Sequence, residues 1–159
     1  MPGQSYSSWY GLDIRSGGLL ASESLSQLTG NLYLRTGSNF SSSLNSSGSG
    51  SILLDGNLSV SGNLLLDASG LSSLPGSPIT LFDLSSGRIV SGSFSGLPEG
   101  STLSAGDFQF KISYLGGDGN DVVLSPVPVP ATIWLFGSGL VGLAGIGRAR
   151  KREKPGDVM

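Results

Sequence analysis

Short runs of alternating apolar and polar residues recur along the first 125 positions of the chain. In each run the apolar side chains stand two positions apart, which is the spacing of one face of a β-strand. The pairs are Leu32 and Leu34, Ile52 and Leu54, Leu58 and Val60, Leu64 and Leu66, and Ile79 and Leu81. The longest run joins Phe108, Phe110, Ile112 and Tyr114. No helical periodicity of useful length precedes Pro130, so the pattern predicts an all-β domain over residues 11–125.

Turn-forming residues separate these runs, as in the Ser/Gly-rich residues 46–50 and the Pro/Gly-rich residues 75–78. The tripeptide Gly-Asn-Leu begins at Gly30, Gly56 and Gly62. Short repeats cannot bury an apolar face singly and must stack against one another. The pattern therefore predicts a β-solenoid, with a tight turn after each short apolar rung.

The pattern changes beyond residue 125. Residues 131–147 carry no charged side chain, and their larger apolar residues are Ile133, Trp134, Leu135, Phe136, Leu140, Val141, Leu143 and Ile146. As a helix, this range would be about 25 Å long, just short of the roughly 30 Å hydrocarbon core of a bilayer. A basic cluster follows, formed by Arg148, Arg150, Lys151 and Arg152, which is typical of a cytoplasmic anchor. These features predict a transmembrane helix over 131–147 and a basic cytoplasmic tail over 148–159.

The alternative for residues 131–147 is a buried helix of a soluble domain. The range has no polar face, whereas a surface helix carries charge every few residues. It also holds five Gly, each of which costs about 1 kcal/mol in an aqueous helix but is tolerated in lipid. The membrane-spanning interpretation is therefore favoured.

A proline motif, which we define as Val127, Pro128, Val129, Pro130 and Ala131, lies in the link over residues 126–130 and the first residue beyond it. Proline fixes its own φ and biases the preceding residue away from the helix, so alternating prolines favour an extended chain. An extended segment beside a bilayer suits the active site of a membrane-embedded protease. We therefore predict a recognition and cleavage region, with a plain spacer as the alternative.

Composition narrows the function classes. The chain has no Cys and no His, so disulfides and imidazole-based catalysis are excluded. Residues 1–130 hold nine acidic and four basic side chains, and this body lacks the basic patch of a nucleic-acid-binding protein. The candidate catalytic carboxylates are Asp55, Asp67, Asp83 and Glu99. All lie among Ser and Gly, where Asp is usually a turn former, so neither enzymatic activity nor a cofactor is predicted.

Residues 116–123 match one copy of the Gly- and Asp-rich repeat that binds calcium in RTX proteins. Asp118 and Asp121 would supply the hard oxygen ligands that Ca²⁺ prefers. Such sites form between successive turns, however, and the chain carries one copy. A Gly/Asp-rich hairpin turn between Tyr114 and Val122 is the favoured interpretation, and a calcium site is the alternative.

The C-terminal segment resembles the PEP-CTERM sorting signal, most closely its VPLPA-CTERM variant. The resemblance rests on the order of proline motif, apolar segment and basic cluster. It departs from the variant at Val129, where the variant has Leu, and in the polar extension over 153–159. The resemblance implies export in a Gram-negative bacterium, insertion into the inner membrane, and cleavage by an exosortase near the prolines. The processed protein would reside at the cell surface or in the extracellular matrix, where this family accompanies exopolysaccharide and biofilm formation.

An N-terminal signal peptide should accompany such a signal. Residues 1–10 have neither a basic n-region nor an apolar h-region. We therefore expect an irregular N-terminus over 1–10 and a chain truncated relative to its natural start.

The body resembles the terminal part of autotransporter-type passenger domains. The resemblance is carried by residues 56–64, 79–84, 90–100 and 110–124. It implies the end of a right-handed parallel β-helix whose last strands cover the apolar core.

Two function hypotheses follow. The first is an exported structural or adhesive surface protein, with an exosortase, the lipid bilayer and exopolysaccharide as partners and no nucleic acid. The second is a membrane-anchored β-solenoid that binds glycan or ice through ordered polar ranks; the low Thr content places ice binding below adhesion.

Overall fold

The structure is a computed structural model that describes residues 4–7, 11–45 and 48–128. The chain divides into two compact units, Met1–Val127 and Pro128–Met159. Within the described residues the regular secondary structure of the first unit comprises β-strands and one 3₁₀ turn, Ser22–Ser24. The predicted all-β class is confirmed.

Fifteen strands lie in three sheets within these ranges. Sheet A has the spatial order β1 (Gln4–Ser7), β2 (Gly11–Ile14), β5 (Asn31–Leu34), β9 (Leu58–Val60) and β12 (Val90–Gly92). Sheet B has the order β10 (Asn63–Gly70), β6 (Asn39–Asn45) and β3 (Leu19–Ala21), with β7 (Gly48–Ser49) beside β6. Sheet C has the order β13 (Thr102–Ala105), β14 (Phe108–Gly116), β15 (Asp121–Pro126), β11 (Ile79–Leu84), β8 (Ile52–Asp55) and β4 (Gln27–Thr29).

From β2 onward the chain visits sheets A, B and C in turn and then repeats the circuit. Strands of successive circuits pair in parallel, so that in sheet A Leu32 aligns with Leu12 on one side and with Leu58 on the other. The same parallel pairing joins β3, β6 and β10 in sheet B, and β4, β8 and β11 in sheet C. Alternate side chains of each strand therefore stack in columns that face one shared core.

The core contains the apolar positions that the alternation predicts. The buried members of the predicted pairs are Leu32, Leu34, Ile52, Leu54, Leu58, Val60, Ile79 and Leu81. Leu64 and Leu66 are only partly buried, because β10 is the outermost strand of sheet B and has a neighbour on one side alone.

The Gly-Asn-Leu repeat has a structural role at the start of sheet A strands. The Asn31 side-chain oxygen accepts the Asn57 N–H at 2.9 Å, and the Asn57 oxygen accepts the Ile89 N–H at 3.1 Å. These two asparagines therefore link three successive circuits. The copy at Gly62 differs, since Asn63 begins a sheet B strand and donates to Asn39 Oδ1 at 3.1 Å.

Antiparallel strands close the C-terminal end of this unit. After β12 the chain forms β13, β14 and β15, and β15 returns antiparallel to β11. Aromatic rings extend the core toward this end: the ring centroids are 4.5 Å apart for Phe40 and Phe82, 6.1 Å for Phe40 and Phe94, and 6.4 Å for Phe94 and Tyr114.

Tyr114 clamps the turn that leads into these strands. Its hydroxyl accepts the Phe94 N–H at 2.9 Å and donates to the Leu97 carbonyl at 2.7 Å. Glu99 adds a second tie, since its carboxylate accepts the Tyr114 N–H at 2.6 Å. Phe94 is thereby held in the core at 1% exposure.

The structure differs from the sequence-based boundaries at both ends of the body. Residues 4–7, expected to be irregular, form β1, which pairs antiparallel with β2. This segment reads Gln-Ser-Tyr-Ser and carries no apolar alternation. It can still form a strand, because backbone pairing with an existing strand does not require apolar side chains on one face. At the other end, β15 continues through Pro126, the first residue of the predicted link. The predicted transmembrane helix over 131–147 lies outside the described residues.

Candidate functional site

The candidate site is the end of β15, where the sheet meets the proline motif. Pro126 lies opposite Phe110 of β14, and the Val127 N–H donates to the Gln109 carbonyl at 2.9 Å. Pro126 and Val127 are partly buried, whereas Pro128 is exposed. The first residue of the motif is therefore bound to the sheet by its backbone.

The position of Pro126 in the ladder explains how a proline is accommodated there. Residue pairs of antiparallel strands alternate between hydrogen-bonded and non-hydrogen-bonded. Since Val127 bonds to Gln109, the pair of Pro126 with Phe110 is non-hydrogen-bonded. On the other side of β15, the pairing with β11 ends where Ile79 meets Leu124. The N–H that proline lacks would thus have faced a side on which the ladder has already ended.

Most of the predicted site residues lie outside the described residues. These are Val129, Pro130 and Ala131 of the proline motif, the apolar residues of 131–147, and the basic cluster Arg148, Arg150, Lys151 and Arg152. Among the residues that the structure does describe, no helix is long and apolar enough to cross a bilayer.

The Gly/Asp-rich segment forms the turn of the hairpin between β14 and β15, as the favoured interpretation predicts. Asp121 is buried and accepts the Leu84 N–H at 2.8 Å. Burial raises the pKa of the Asp121 carboxyl, and the negative charges of Asp83 and Asp118 act in the same direction. Asp118 is exposed.

Asp118 and Asp121 of this turn are the candidate calcium ligands. Within the described ranges, no group of three or more acidic side chains is placed to hold a metal ion. The neighbouring Asn120 donates from its side chain to the carbonyls of Ser85 and Arg88 at 3.1 Å each, and so holds the turn that follows β11. Asp121 and Asn120 therefore serve to join the hairpin to β11 and the turn after it.

Three of the four carboxylates considered for catalysis have structural partners. Asp55 pairs with Arg88 at 2.9 Å, and Glu99 binds the Tyr114 N–H. Asp67 accepts the Ser69 N–H at 2.9 Å, a bond that lowers the pKa of this carboxyl. Asp83 is exposed.

The outward columns bear on ligand binding. Ordered recognition of ice or a crystal requires the same side chain in each successive circuit. One outward column of sheet A instead reads Asp13, Tyr33, Ser59 and Ser91. One of sheet B reads Leu19, Asn39 and Asn63, and one of sheet C reads Gln27, Leu53 and Asp83. Such mixed columns do not form a regular rank.

Two site features could not be found from the sequence. The bond from Val127 to Gln109 depends on the register of β15 against β14, and the Tyr114 clamp depends on where the chain returns after β12. For the bond from Val127 to Gln109, the sequence offers one indication: the period-two run of β14 is long enough to pair with β15 beyond Ser125.

A family model described as the PEP-CTERM protein-sorting motif matches residues 126–151. The match begins at the last residue of β15 and includes the proline motif, the uncharged segment and the basic cluster as far as Lys151. It confirms the resemblance of this segment to that sorting signal. The match does not extend over the body, whose resemblance to autotransporter passengers stays a prediction. No curated protein matches the chain.

Proposed function

We propose that this chain is an exported substrate of an exosortase-type enzyme, with a β-helical body that serves as a structural or adhesive surface module. The observation that carries the proposal is the sorting-motif match over residues 126–151, which begins where the folded sheet ends. A sorting signal is of use to a cell only when it follows a domain that is to be delivered.

The β-helical assignment rests on the parallel stacking of the three sheets. Each circuit crosses from one strand to the strand parallel to it in the same sheet, and such crossovers are right-handed in nearly all proteins. The antiparallel β13, β14 and β15 cover one end of the core, as the last strands of a β-helix would. With nine acidic and four basic side chains over residues 1–130, the body has a mild excess of negative charge that suits a structural role in the envelope or matrix.

In this function the range 131–147 inserts into the membrane, and the basic cluster remains in the cytoplasm. A reporter that is active only in the cytoplasm, fused after Met159, should give a signal. Replacing Arg148, Arg150, Lys151 and Arg152 with Ser should weaken that signal and leave the β-sheet circular dichroism of the body unchanged. A silent reporter on the native chain would contradict the proposed orientation.

Processing gives the most direct test. The chain is expressed behind a functional signal peptide in a host that carries an exosortase, and the mature C-terminus is determined by mass spectrometry. We expect cleavage in or beside the proline motif. A matched variant with Pro128→Ala and Pro130→Ala keeps the length and should be cleaved poorly. A surface form that still contains Trp134 and the basic cluster would show a permanent anchor instead.

The adhesive part of the proposal is tested separately, by retention of the protein on exopolysaccharide from the host at low and high salt. Retention that survives high salt would support recognition through uncharged groups, since screening weakens charge pairing. Failure to bind at either salt would remove the adhesive role and leave the processing proposal intact.

A further inference from the structure

In an extended conformation, only one edge of the proline motif would carry backbone N–H donors. In an extended chain, successive N–H groups point to opposite sides. Pro126, Pro128 and Pro130 have no N–H, so one side of the segment lacks donors entirely. The donors of Val127 and Val129 would face the other side. The valine side would then be the edge that offers both donors and acceptors to a protease that binds the segment by adding it as a strand to a sheet.

The folded body already occupies the first position on that side. The Val127 N–H donates to Gln109 of β14 at 2.9 Å. We infer that β14 and the processing protease compete for the same backbone edge, so that cleavage proceeds through a state in which the end of β15 has left the sheet. This inference rests on the proposed function and names how the folded body regulates it.

The competing strand itself is firmly held. β14 lies between β13 and β15, and its residues Phe110 and Ile112 are completely buried. The release must therefore come from β15. Within β15, Val122 and Leu124 are also completely buried, whereas Ser125, Pro126 and the following Val127 are only partly so.

The releasable segment is thus short, extending from Ser125 to the motif. Terminal residues that follow the last buried side chain open locally at small cost compared with global unfolding. The rate of cleavage is then proportional to the fraction of time that the Val127 bond is open. One backbone hydrogen bond has a net value of about 1 kcal/mol, which corresponds to a roughly fivefold effect on rate.

The first experiment displaces the motif from β14. Gly-Ser-Gly-Ser is inserted between Ser125 and Pro126 of the full chain, so that inserted residues take the positions opposite Phe110 and Gln109. We expect the Val127 amide to lose its protection from hydrogen exchange and cleavage in the exosortase-bearing host to become about fivefold faster. The matched control carries the same insertion between Ser72 and Ser73, in an exposed loop, and should be cleaved at the native rate.

The second experiment holds β15 in place without changing any length. Lys111 and Ser125 are directly opposite each other two residues before the Val127 pair, and so form a hydrogen-bonded pair. The Cα atoms of such a pair are about 5.5 Å apart, a distance that a disulfide spans. The double variant Lys111→Cys and Ser125→Cys contains no other Cys. Cleavage should be at least about threefold slower when it is oxidised and should recover on reduction.

The outcomes separate the two levels of the argument. Cleavage of the native chain at the same rate as the insertion variant, or an oxidised double variant that is cleaved as fast as the reduced one, overturns the competition while the processing function stands. If only the insertion changes the rate, the added distance from the membrane explains it and the competition is again rejected. Absence of cleavage in every chain rejects the proposed function, and the competition with it.

Discussion

Replacing Tyr114 with Phe removes one oxygen atom from the closed end of the core. The Tyr114 hydroxyl accepts the Phe94 N–H at 2.9 Å and donates to the Leu97 carbonyl at 2.7 Å. In the Tyr114→Phe variant both backbone groups lose their partner. Phe94 is 1% exposed, so its N–H has no access to solvent as a replacement.

The expected loss of stability follows from this burial. A buried donor that is left without an acceptor costs about 1–3 kcal/mol. Leu97 is only partly buried, and water can reach its carbonyl, so we attribute most of the loss to Phe94. The free energy of unfolding should therefore fall by about 2 kcal/mol, and no cavity term adds to it because the ring remains.

The assay is urea unfolding of the 1–127 unit, followed by far-ultraviolet circular dichroism. The midpoint should decrease while the denaturant slope stays constant. Tyr33→Phe is the matched control, because the Tyr33 hydroxyl accepts a 3.1 Å bond from Asn31 on the outward face of sheet A. It should change stability by less than about 0.5 kcal/mol. Equal effects of the two substitutions would refute the clamp.

The remaining predictions concern a glycine and a carboxylate. Gly92 and Gly87 both have φ near +80°, but of these two only Gly92 is placed so that an added Cβ would overlap a backbone atom, the Val60 carbonyl oxygen. In urea unfolding, Gly92→Ala should therefore destabilise the unit by several kcal/mol, whereas Gly87→Ala should destabilise it by about 1 kcal/mol. Burial raises the pKa of the Asp121 carboxyl from its ordinary 3.8. Protonation of Asp121 therefore stabilises the folded state below pH 3.8, and this contribution is lost as the pH rises through the folded-state pKa. The Asp121→Asn variant keeps an oxygen acceptor for the Leu84 N–H but carries no charge. The urea midpoint of this variant, relative to that of the native chain, should therefore increase from about pH 4 to pH 7. A difference that does not change with pH would contradict this.

Much of the fold was predictable from short-range pattern. Period two decides which side chains of a strand face the same way, and apolar side chains gain free energy by leaving water. Ile52 and Leu54 therefore face the core in whichever sheet their strand lies. Partial burial of Leu64 was not predictable, because it depends on β10 being the last strand of sheet B.

The sequence by itself determined the division of the chain into a β body and a sorting segment, and it determined which side chains of each strand face the core. The proline motif, the uncharged segment and the basic cluster are contiguous, and the local chemistry of such a signal does not depend on a distant partner. The tertiary structure decided which strands became neighbours, and with them the partners of Asn57, Asp121 and Tyr114. It also bound Val127, the residue after β15, to Gln109 of β14, because the buried side chains of these two strands set their register. Contacts of this kind are decided only when the chain has folded, because loop lengths and burial together select one register from several that the alternation allows.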